Sequence, residues 1–350
     1  MKKVAIIGAS GYVGAELAGL LAQHSKVSIE HLVISENSTS NGKNFADLHA
    51  RWQGVIDVPL LTFSTQWFET FGSQLDAVFF ATPHEFSAQW ASKFVEKGVK
   101  VFDLSGGFRL KSLDDYPKYY GFDHQYPSAV SDAQYGLAEW HPEAIAKAKL
   151  VAVPGCYPTA SLLAIKPLMT NQLVDENQLI VINGISGVSG AGRNANLATS
   201  FNEVSLKPYN ILAHRHQPEI SQEAGAQVIF NPHLAPFKRG LLATVTLSLK
   251  NGVNKSDVTQ AFENAYQDQP IVRIKQSWPQ IDHVAHTPFA DVYFEVDEEK
   301  QVAVVSCAID NLLKGAAGQA VQCFNLSYGW SSTEHLVPNT VNLSNIGSLS

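Results

Sequence analysis

VAIIGASGYVGAELAGLL, residues 4–21, passes from an apolar strand-like segment through spaced glycines into a helical pattern. Val4–Gly8 is short and β-rich. From Tyr12 to His24 the apolar positions Val13, Leu17, Leu20 and Leu21 fall on one helical face. Gly8, Gly11 and Gly14 give the spacing GxxGxxG, a variant of the commoner GxGxxG. Such a turn brings backbone N–H groups to a pyrophosphate at a helix N-terminus, where the peptide dipoles favour negative charge. Gly8, Ser10, Gly11, Tyr12, Val13 and Gly14 are therefore the expected dinucleotide contacts. Met1-Lys2-Lys3 and the apolar run behind it imitate a secretory signal. The regular glycines and Glu16 fit a nucleotide turn and not a signal. No other stretch approaches the roughly 18 uninterrupted apolar residues of a membrane span. The expectation is a soluble, unprocessed, cytoplasmic chain with no membrane partner.

Working outward, Ser28–Ser35 reads as the second strand. An NAD enzyme usually ends it with an acidic residue for the ribose hydroxyls, about 20 residues past the glycines. Here the strand ends in Ile34-Ser35-Glu36-Asn37-Ser38. Ser35 and Ser38 suit a 2′-phosphate, with help from Lys43, and favour NADP. Glu36 argues the other way unless it turns outward. Leu75–Thr82, Val99–Leu104 and Leu150–Val153 read as further strands, and Phe86–Glu96 as a helix stopped at Gly98. Strands alternating with helices imply a parallel sheet. The tyrosine- and proline-rich stretch Leu110–Pro142 reads as a surface excursion. Residues 1–155 are thus an α/β, Rossmann-type NADP-binding domain.

The rhythm then changes. Leu179–Ile185, Leu241–Leu249, Asp291–Val296 and Val302–Ile309 read as strands. Val258–Tyr266 is a helix with Ser256 as a candidate N-cap. Residues 156–311 form an α+β catalytic domain with a mostly antiparallel sheet. A last helix spans Leu312–Leu326, and the tail 331–350 is rich in Ser, Thr and Asn and reads as a loose end.

Composition excludes other classes. The 350 residues are 45% apolar with a net charge of −7, which does not fit a disordered chain. The mild acid excess leaves nothing to neutralise a nucleic-acid backbone. Three cysteines, Cys156, Cys307 and Cys323, are no disulfide framework and carry no metal-ligand spacing.

One of them has the setting of a nucleophile. Pro154-Gly155-Cys156-Tyr157-Pro158-Thr159 joins a strand to an apolar-periodic run, which puts Cys156 at a helix N-terminus. Partial positive charge there is expected to lower a thiol pKa. Cys307 and Cys323 sit in a strand pattern and a helix pattern and read as structural. An acid/base partner is available in His214-Arg215-His216-Gln217-Pro218-Glu219. In an extended segment His214 and His216 would share one face. Glu219 would orient an imidazole or bind substrate. Ser105-Gly106-Gly107-Phe108-Arg109 follows a strand at the carboxyl edge of the sheet, so Arg109 is a candidate phosphate clamp. The loop Gly184–Gly192 with Arg193 is a second glycine-rich candidate for substrate contact.

GASGYVGAEL, VPGCYPTA, SGVSGAGR, SFNEVSLKPYN, HRHQPEI and NLLKGAAGQAVQ, spread from residue 8 to residue 322, together resemble the N-acetyl-gamma-glutamyl-phosphate reductase family. The resemblance implies NADP in the first domain, Cys156 as nucleophile, and a histidine of the HRH segment as acid/base. We take His216, with His214, Glu219, Arg109 and Arg193 serving the substrate. It also implies that a helix over 312–330 returns to the first domain, with Gly315 close to the nicotinamide. The implied chemistry is reductive dephosphorylation of an acyl phosphate in a homo-oligomer, a tetramer or a dimer. An aspartate-semialdehyde dehydrogenase shares this chemistry and is the first alternative. A non-catalytic NADP-binding redox sensor is the second.

Overall fold

The computed structural model describes residues 1–337. The first half contains β1 (Lys2–Ile7), α1 (Tyr12–Ala22), β2 (Val27–Ile34), α2 (Phe45–Leu48), β3 (Leu60–Thr62) and α3 (Thr65–Phe71). It continues with β4 (Ala77–Phe80), α4 (His84–Glu96), β5 (Lys100–Asp103), α5 (Asp115–Tyr120), α6 (Pro127–Asp132), β6 (Gln134–Tyr135), α7 (Pro142–Lys147) and β7 (Leu150–Ala152). The seven strands form one sheet in the order β3-β2-β1-β4-β5-β7-β6, every pairing parallel. All four residues of β4 are buried, which is what an apolar run without alternation requires.

Two features of this half were missed. Ser64 caps α3 by accepting the Trp67 N–H at 3.0 Å, and the helix buries Trp67 and Phe68. The stretch 110–142, expected as a surface excursion on the first domain, is built into that domain's sheet and core. Its β6 extends the sheet beside β7, and Tyr116, Tyr120 and Tyr135 are buried. Tyr116 and Tyr120 pack with Phe108 and Phe122 in a small aromatic core, while Pro117, Pro127 and Pro142 stay exposed.

The second half contains α8 (Cys156–Thr170), β8 (Ile180–Gly187), β9 (Lys207–Pro208), α9 (His216–Ala224), β10 (Val228–Ala235), β11 (Leu241–Ser248), α10 (Lys255–Tyr266), β12 (Val272–Ile274), β13 (Ala290–Asp297) and β14 (Val302–Ile309). Its seven-stranded sheet runs β12-β13-β14-β11-β8-β10-β9. It is mixed: β8 pairs parallel with β10 and β12 with β13, and the remaining pairings are antiparallel. Strand β10, unread in the sequence, is returned to the sheet by α9. Along β11, Leu241, Ala243, Val245 and Leu247 are buried under α8, and the intervening residues are half-open. Helix α10 begins one residue earlier than its expected cap. Asn254, not Ser256, accepts the Ser256 and Asp257 N–H groups, and Asp257 returns a bond to the Asn254 N–H.

The last helix is not regular. A π-turn over Leu313–Ala317 precedes α11 (Gly318–Ser327). Ala317, Ala320, Val321, Cys323 and Phe324 join the core of Val4, Ile6, Leu17 and Leu21. The residues just beyond are not a loose end. Asn325 donates to the Ser332 and Glu334 carbonyls, Glu334 pairs with Lys26 at 2.6 Å, and Leu336 is buried. The rest of the expected tail, 338–350, lies outside the described residues. Among the described residues no helix is long and apolar enough to cross a membrane.

Candidate active site

The glycine turn is shaped for a ligand rather than for side-chain packing. Gly8 takes φ +95°, and a Cβ there would lie 2.1 Å from the Ala81 carbonyl oxygen. A Cβ at Gly14 would lie 2.4 Å from the Gly8 carbonyl oxygen, so α1 starts in contact with the turn. Gly11 is the N-cap of α1 and supplies no side-chain acceptor. The first N–H groups of the helix are left for an anion. Gly8, Ser10, Gly11, Ser35 and Thr82 line a cavity of about 590 Å³ beside this turn. The open turn, the uncapped helix and a cavity of that size fit a dinucleotide. Ser35 is on the lining. Ser38 is not; its hydroxyl accepts the Ser40 N–H at 3.2 Å. Glu36 is exposed and off the lining.

Arg193, expected at the substrate, lines a cavity that also holds Cys156 and reaches the cofactor turn, its guanidinium donating to the Ser10 carbonyl at 3.4 Å. The first part of the glycine-rich loop before it, residues 184–187, is strand. Residues 180–187 are β8, and Gly184 is required because a Cβ there would lie 2.6 Å from the Tyr157 ring. Only residues 188–191 form a tight turn.

The second junction carries the thiol. Strand β7 leads through Pro154 and Gly155 into α8, whose first residue is Cys156. The Gly155 peptide is held on both sides. Its N–H donates to Glu219 Oε1 at 3.0 Å, and its carbonyl accepts the Thr159 N–H and the Thr159 hydroxyl, each at 2.9 Å. Cys156 lies on the walls of two cavities. One, of about 290 Å³, is shared with Gly11, Tyr12, Val13, Gly14 and Gly315. The other, of about 530 Å³, is shared with Lys207, Tyr209, His214, Arg215 and His216. The π-turn brings Gly315 so close that a Cβ there would lie 2.7 Å from the Cys156 Cβ.

The electrostatics differ from the sequence expectation. Burial pushes the Cys156 thiol up to about 11, and the Tyr157 N–H, Arg109 and Arg215 only partly oppose it. The thiol therefore rests protonated although part of its surface stays open to the cavities. His214 precedes α9 and His216 opens it, so the two do not share an extended face. Their rings lie 4.7 Å apart, and His214 Nδ1 accepts the His216 N–H at 3.1 Å. His216 Nε2 sits 2.5 Å from where a Gly155 Cβ would be, next to the nucleophile's turn. Burial, then His214, Arg215, Arg109 and His84, hold His216 well below the ordinary imidazole range. Burial and Arg215 bring His214 to about 4. The resting pair is a thiol and a neutral imidazole.

Glu219 and Arg109 are both buried beside the nucleophile's turn, and Arg109 also lines the smaller Cys156 cavity. Glu219 is fully buried; Oε1 accepts from the Tyr135 hydroxyl and the Gly155 N–H, so it braces the nucleophile's turn and lines neither Cys156 cavity. Arg109 is also buried. It donates to the Val153 carbonyl at 2.8 Å and the Leu104 carbonyl at 2.7 Å, and its third nitrogen lies 3.6 Å from Glu219. With two of its nitrogens given to backbone oxygens, it cannot clamp a phosphate with the whole fork.

The sequence reading left Arg215 without a role. Its guanidinium lies 3.0 Å from His84 Nε2, while His84 Nδ1 accepts the Gly106 N–H at 2.7 Å. That second bond leaves the proton of a neutral His84 on Nε2, facing another donor. Arg215 is exposed at the mouth of the cavity and has no carboxylate partner within 4.0 Å among the described residues, which leaves its guanidinium free for an anion. Its position inside the HRH triplet was the one available signal. His84, Lys207 and Tyr209 come from segments with no catalytic spacing of their own. Together these groups give a thiol, a neutral base and a cationic pocket beside a dinucleotide turn, which suits attack on an activated acyl group followed by hydride transfer.

Comparison with known proteins agrees. Residues 3–148 match the semialdehyde dehydrogenase NAD binding domain, and residues 156–311 match the semialdehyde dehydrogenase dimerisation domain. The chain is 48% identical over 337 residues to the N-acetyl-gamma-glutamyl-phosphate reductase of Pseudoalteromonas atlantica, covering 96% of this chain and 98% of that one. It is 50% identical over 334 residues to the protein of that name from Aliivibrio fischeri, covering 94% and 98%. Aspartate semialdehyde dehydrogenase II of Vibrio cholerae, solved in complex with ASA, superposes with a TM-score of 0.71 at 20% identity over 94% of this chain and 98% of that one. The Candida albicans aspartate semialdehyde dehydrogenase, solved with NADP, gives 0.68 at 16% identity over 93% and 98%. At such identities the two solved structures speak for the fold alone.

Proposed function

The chain belongs to the N-acetyl-gamma-glutamyl-phosphate reductase family, and from that premise we propose that Cys156 carries its reaction as a thioester. The activity is the NADPH-dependent conversion of N-acetyl-gamma-glutamyl phosphate to N-acetyl-glutamate semialdehyde and phosphate, a step of arginine biosynthesis. The observation that carries the assignment of residues is the place of Cys156 on the wall between the cavity of the glycine turn and the cavity of Lys207, Tyr209 and the HRH segment.

His216 accepts the thiol proton as Cys156 Sγ attacks the acyl carbonyl. A base held far below its usual pKa by burial and by the nearby Arg215 and Arg109 is weak. The substrate's negative charge offsets those cations and raises its basicity when the substrate is bound. Arg215 and one nitrogen of Arg109 face the leaving phosphate, and His216 passes the proton on as the phosphate departs. The N-terminal N–H groups of α8 stabilise the oxyanion. NADPH, when bound in the glycine cradle, supplies the hydride that reduces the thioester. Cys156 then leaves as the aldehyde forms and is reprotonated from solvent through His216. Gly8, Ser10, Gly11, Tyr12, Val13, Gly14 and Ser35 are the cofactor contacts of this scheme, with Gly315 beside the reacting sulfur and Arg193 over the pyrophosphate turn.

Residues 1–155 with the C-terminal helix serve as the cofactor domain, and 156–311 as the catalytic and oligomerisation domain. Support for a homo-oligomer comes from the half-open face of the second sheet and from exposed apolar residues such as Phe201 (93%) and Leu197 (72%). The enzyme works in the cytoplasm in this reading, in keeping with a biosynthetic role and free cysteines.

The deciding assay is phosphate-dependent reduction of NADP with N-acetyl-glutamate semialdehyde and, separately, with aspartate semialdehyde. Turnover with the first alone is expected. Preference for the second overturns the assignment.

A further inference from the structure

Lys314 is fully buried, a rare place for an ammonium group. All three of its protons have acceptors: Glu139 at 2.6 Å, Gln322 at 2.7 Å and Gln319 at 3.1 Å. Burial pushes the Glu139 carboxyl up, and Lys314 with Gln322 more than offsets it, leaving Glu139 below its ordinary value. The chain of bonds does not stop there. Gln319 donates to the Thr159 hydroxyl at 2.8 Å, and that hydroxyl donates to the Gly155 carbonyl at 2.9 Å. Gly155 is the residue before Cys156. The π-turn that carries Lys314 also sets Gly315 against the Cys156 Cβ.

A threonine hydroxyl bonded to the carbonyl four residues back is common in helices and by itself means little. Here the same hydroxyl is gripped from the other side by a glutamine whose oxygen is held by a buried ion pair. None of these groups lines the cavities on which Cys156 lies. A buried network in which the ammonium spends every proton is rigid.

We infer that Lys314, Gln319 and Thr159, anchored by Glu139, are positioning residues that tie the C-terminal helix to the turn carrying Cys156. The consequence is that the nucleophile's aim is set from the far end of the chain, by the helix that also closes the cofactor domain. The inference rests on Cys156 as the nucleophile.

The test uses the full-length enzyme with Thr159→Val, which keeps the shape and removes the hydroxyl, and Thr159→Ser, which restores it. Gln319→Met breaks the chain one bond further out and stands in should Thr159→Val fail to fold. The readouts are kcat, KM for each substrate, NADPH affinity, and the pH profile of iodoacetamide alkylation. Cys307 and Cys323 are fully buried, so alkylation reports Cys156. Misplacing a reacting group by a fraction of an ångström predicts a fall in kcat on the order of tenfold to a hundredfold for Thr159→Val and Gln319→Met. Their alkylation profile shifts, NADPH affinity holds within about twofold, and Thr159→Ser recovers most of kcat. An unchanged kcat and alkylation profile in both disrupting variants overturns the inference, as does a Ser variant as impaired as Val. A Cys156→Ser enzyme that still turns over sinks the nucleophile assignment instead, so the two failures are separable.

Discussion

The Gly8–Gly14 turn and the Pro154–Thr159 turn each carry a strand into a helix N-terminus, and they are built in opposite ways. The first is stripped of side chains. Gly11 caps α1 with no acceptor, Gly8 presses on Ala81, and the freed N–H groups look into a cavity. The second is crowded. The Gly155 peptide is held by Glu219 from α9 on one side and by Thr159 on the other, with Gln319 and Lys314 of the last helix behind it. A turn that binds a large anion needs free backbone donors and little else. A turn that aims one sulfur atom needs its backbone fixed, and the fixing groups come from distant parts of the chain.

Replacing Cys156 by Ser breaks the second turn's chemistry outright. Turnover should fall on the order of 10⁴-fold or more while NADPH still binds. Fluorescence titration with NADPH beside the steady-state assay checks both halves.

Gly8→Ala strikes the first turn. Alanine at φ +95° adds about 1–3 kcal/mol of backbone strain, and its Cβ would lie 2.1 Å from the Ala81 carbonyl oxygen, so the turn must shift and NADPH binding should weaken at least about tenfold. kcat at saturating NADPH should change far less. Equal losses in kcat and affinity would show that the two turns are not separable.

Glu219→Gln tests the brace. It keeps an acceptor for the Gly155 N–H but leaves Arg109 without its carboxylate partner, 3.6 Å away. Loss of a buried partner is worth a few kcal/mol at most in an exchange this conservative, so a thermal midpoint lower by about 2–8 °C is expected. A variant as stable as the parent would mean that Gly155 alone, not the ion pair, needs Glu219.

Alkylation sharpens the contrast in charge. In the ligand-free enzyme the Cys156 thiol titrates at about 11, so the rate should keep climbing above pH 9. A plateau near pH 7 would mean a preformed thiolate and remove the need for His216 as base.

The smallest effect is on stability. His214 is brought to about 4 in the fold against 6.5 unfolded. Its folded pKa is depressed, so it costs nothing above pH 6.5, and stability is lost as pH falls from 6.5 towards 4. His214→Asn should make the thermal midpoint fall less steeply across that window, with His84, His216 and the other depressed histidines still contributing.

Much of the first sheet was legible because each of its signals is local. Val4–Gly14 carries strand, turn and helix in one run, and the buried strand at Ala77–Phe80 announces itself by an unbroken apolar run. Segments whose order depends on partners were misread. The tyrosines of 110–142 looked like surface until β6 took its place at the sheet edge. Strand β10, half-buried and interrupted by Asn231 and Pro232, gave no clean alternation. Residues 331–337 looked loose because their partners, Lys26 and Asn325, lie elsewhere. At the site, Cys156 and the HRH cluster were visible by residue type. The commitments of Arg109 and Glu219 were not, since a formula for a side chain does not say which carbonyl it will find.

By itself the sequence determined the kind of chemistry: a glycine turn for a dinucleotide, one thiol at a helix start, and imidazoles to serve it. Those are properties of residue types at short spacing, where backbone geometry leaves few options. The tertiary structure decided which groups face the substrate and which only hold the frame. It gave Glu219 to a peptide N–H, most of Arg109 to the backbone, and Arg215 to the cavity. It also decided the charge state of the thiol, because burial and the field of neighbouring cations depend on where distant residues come to rest.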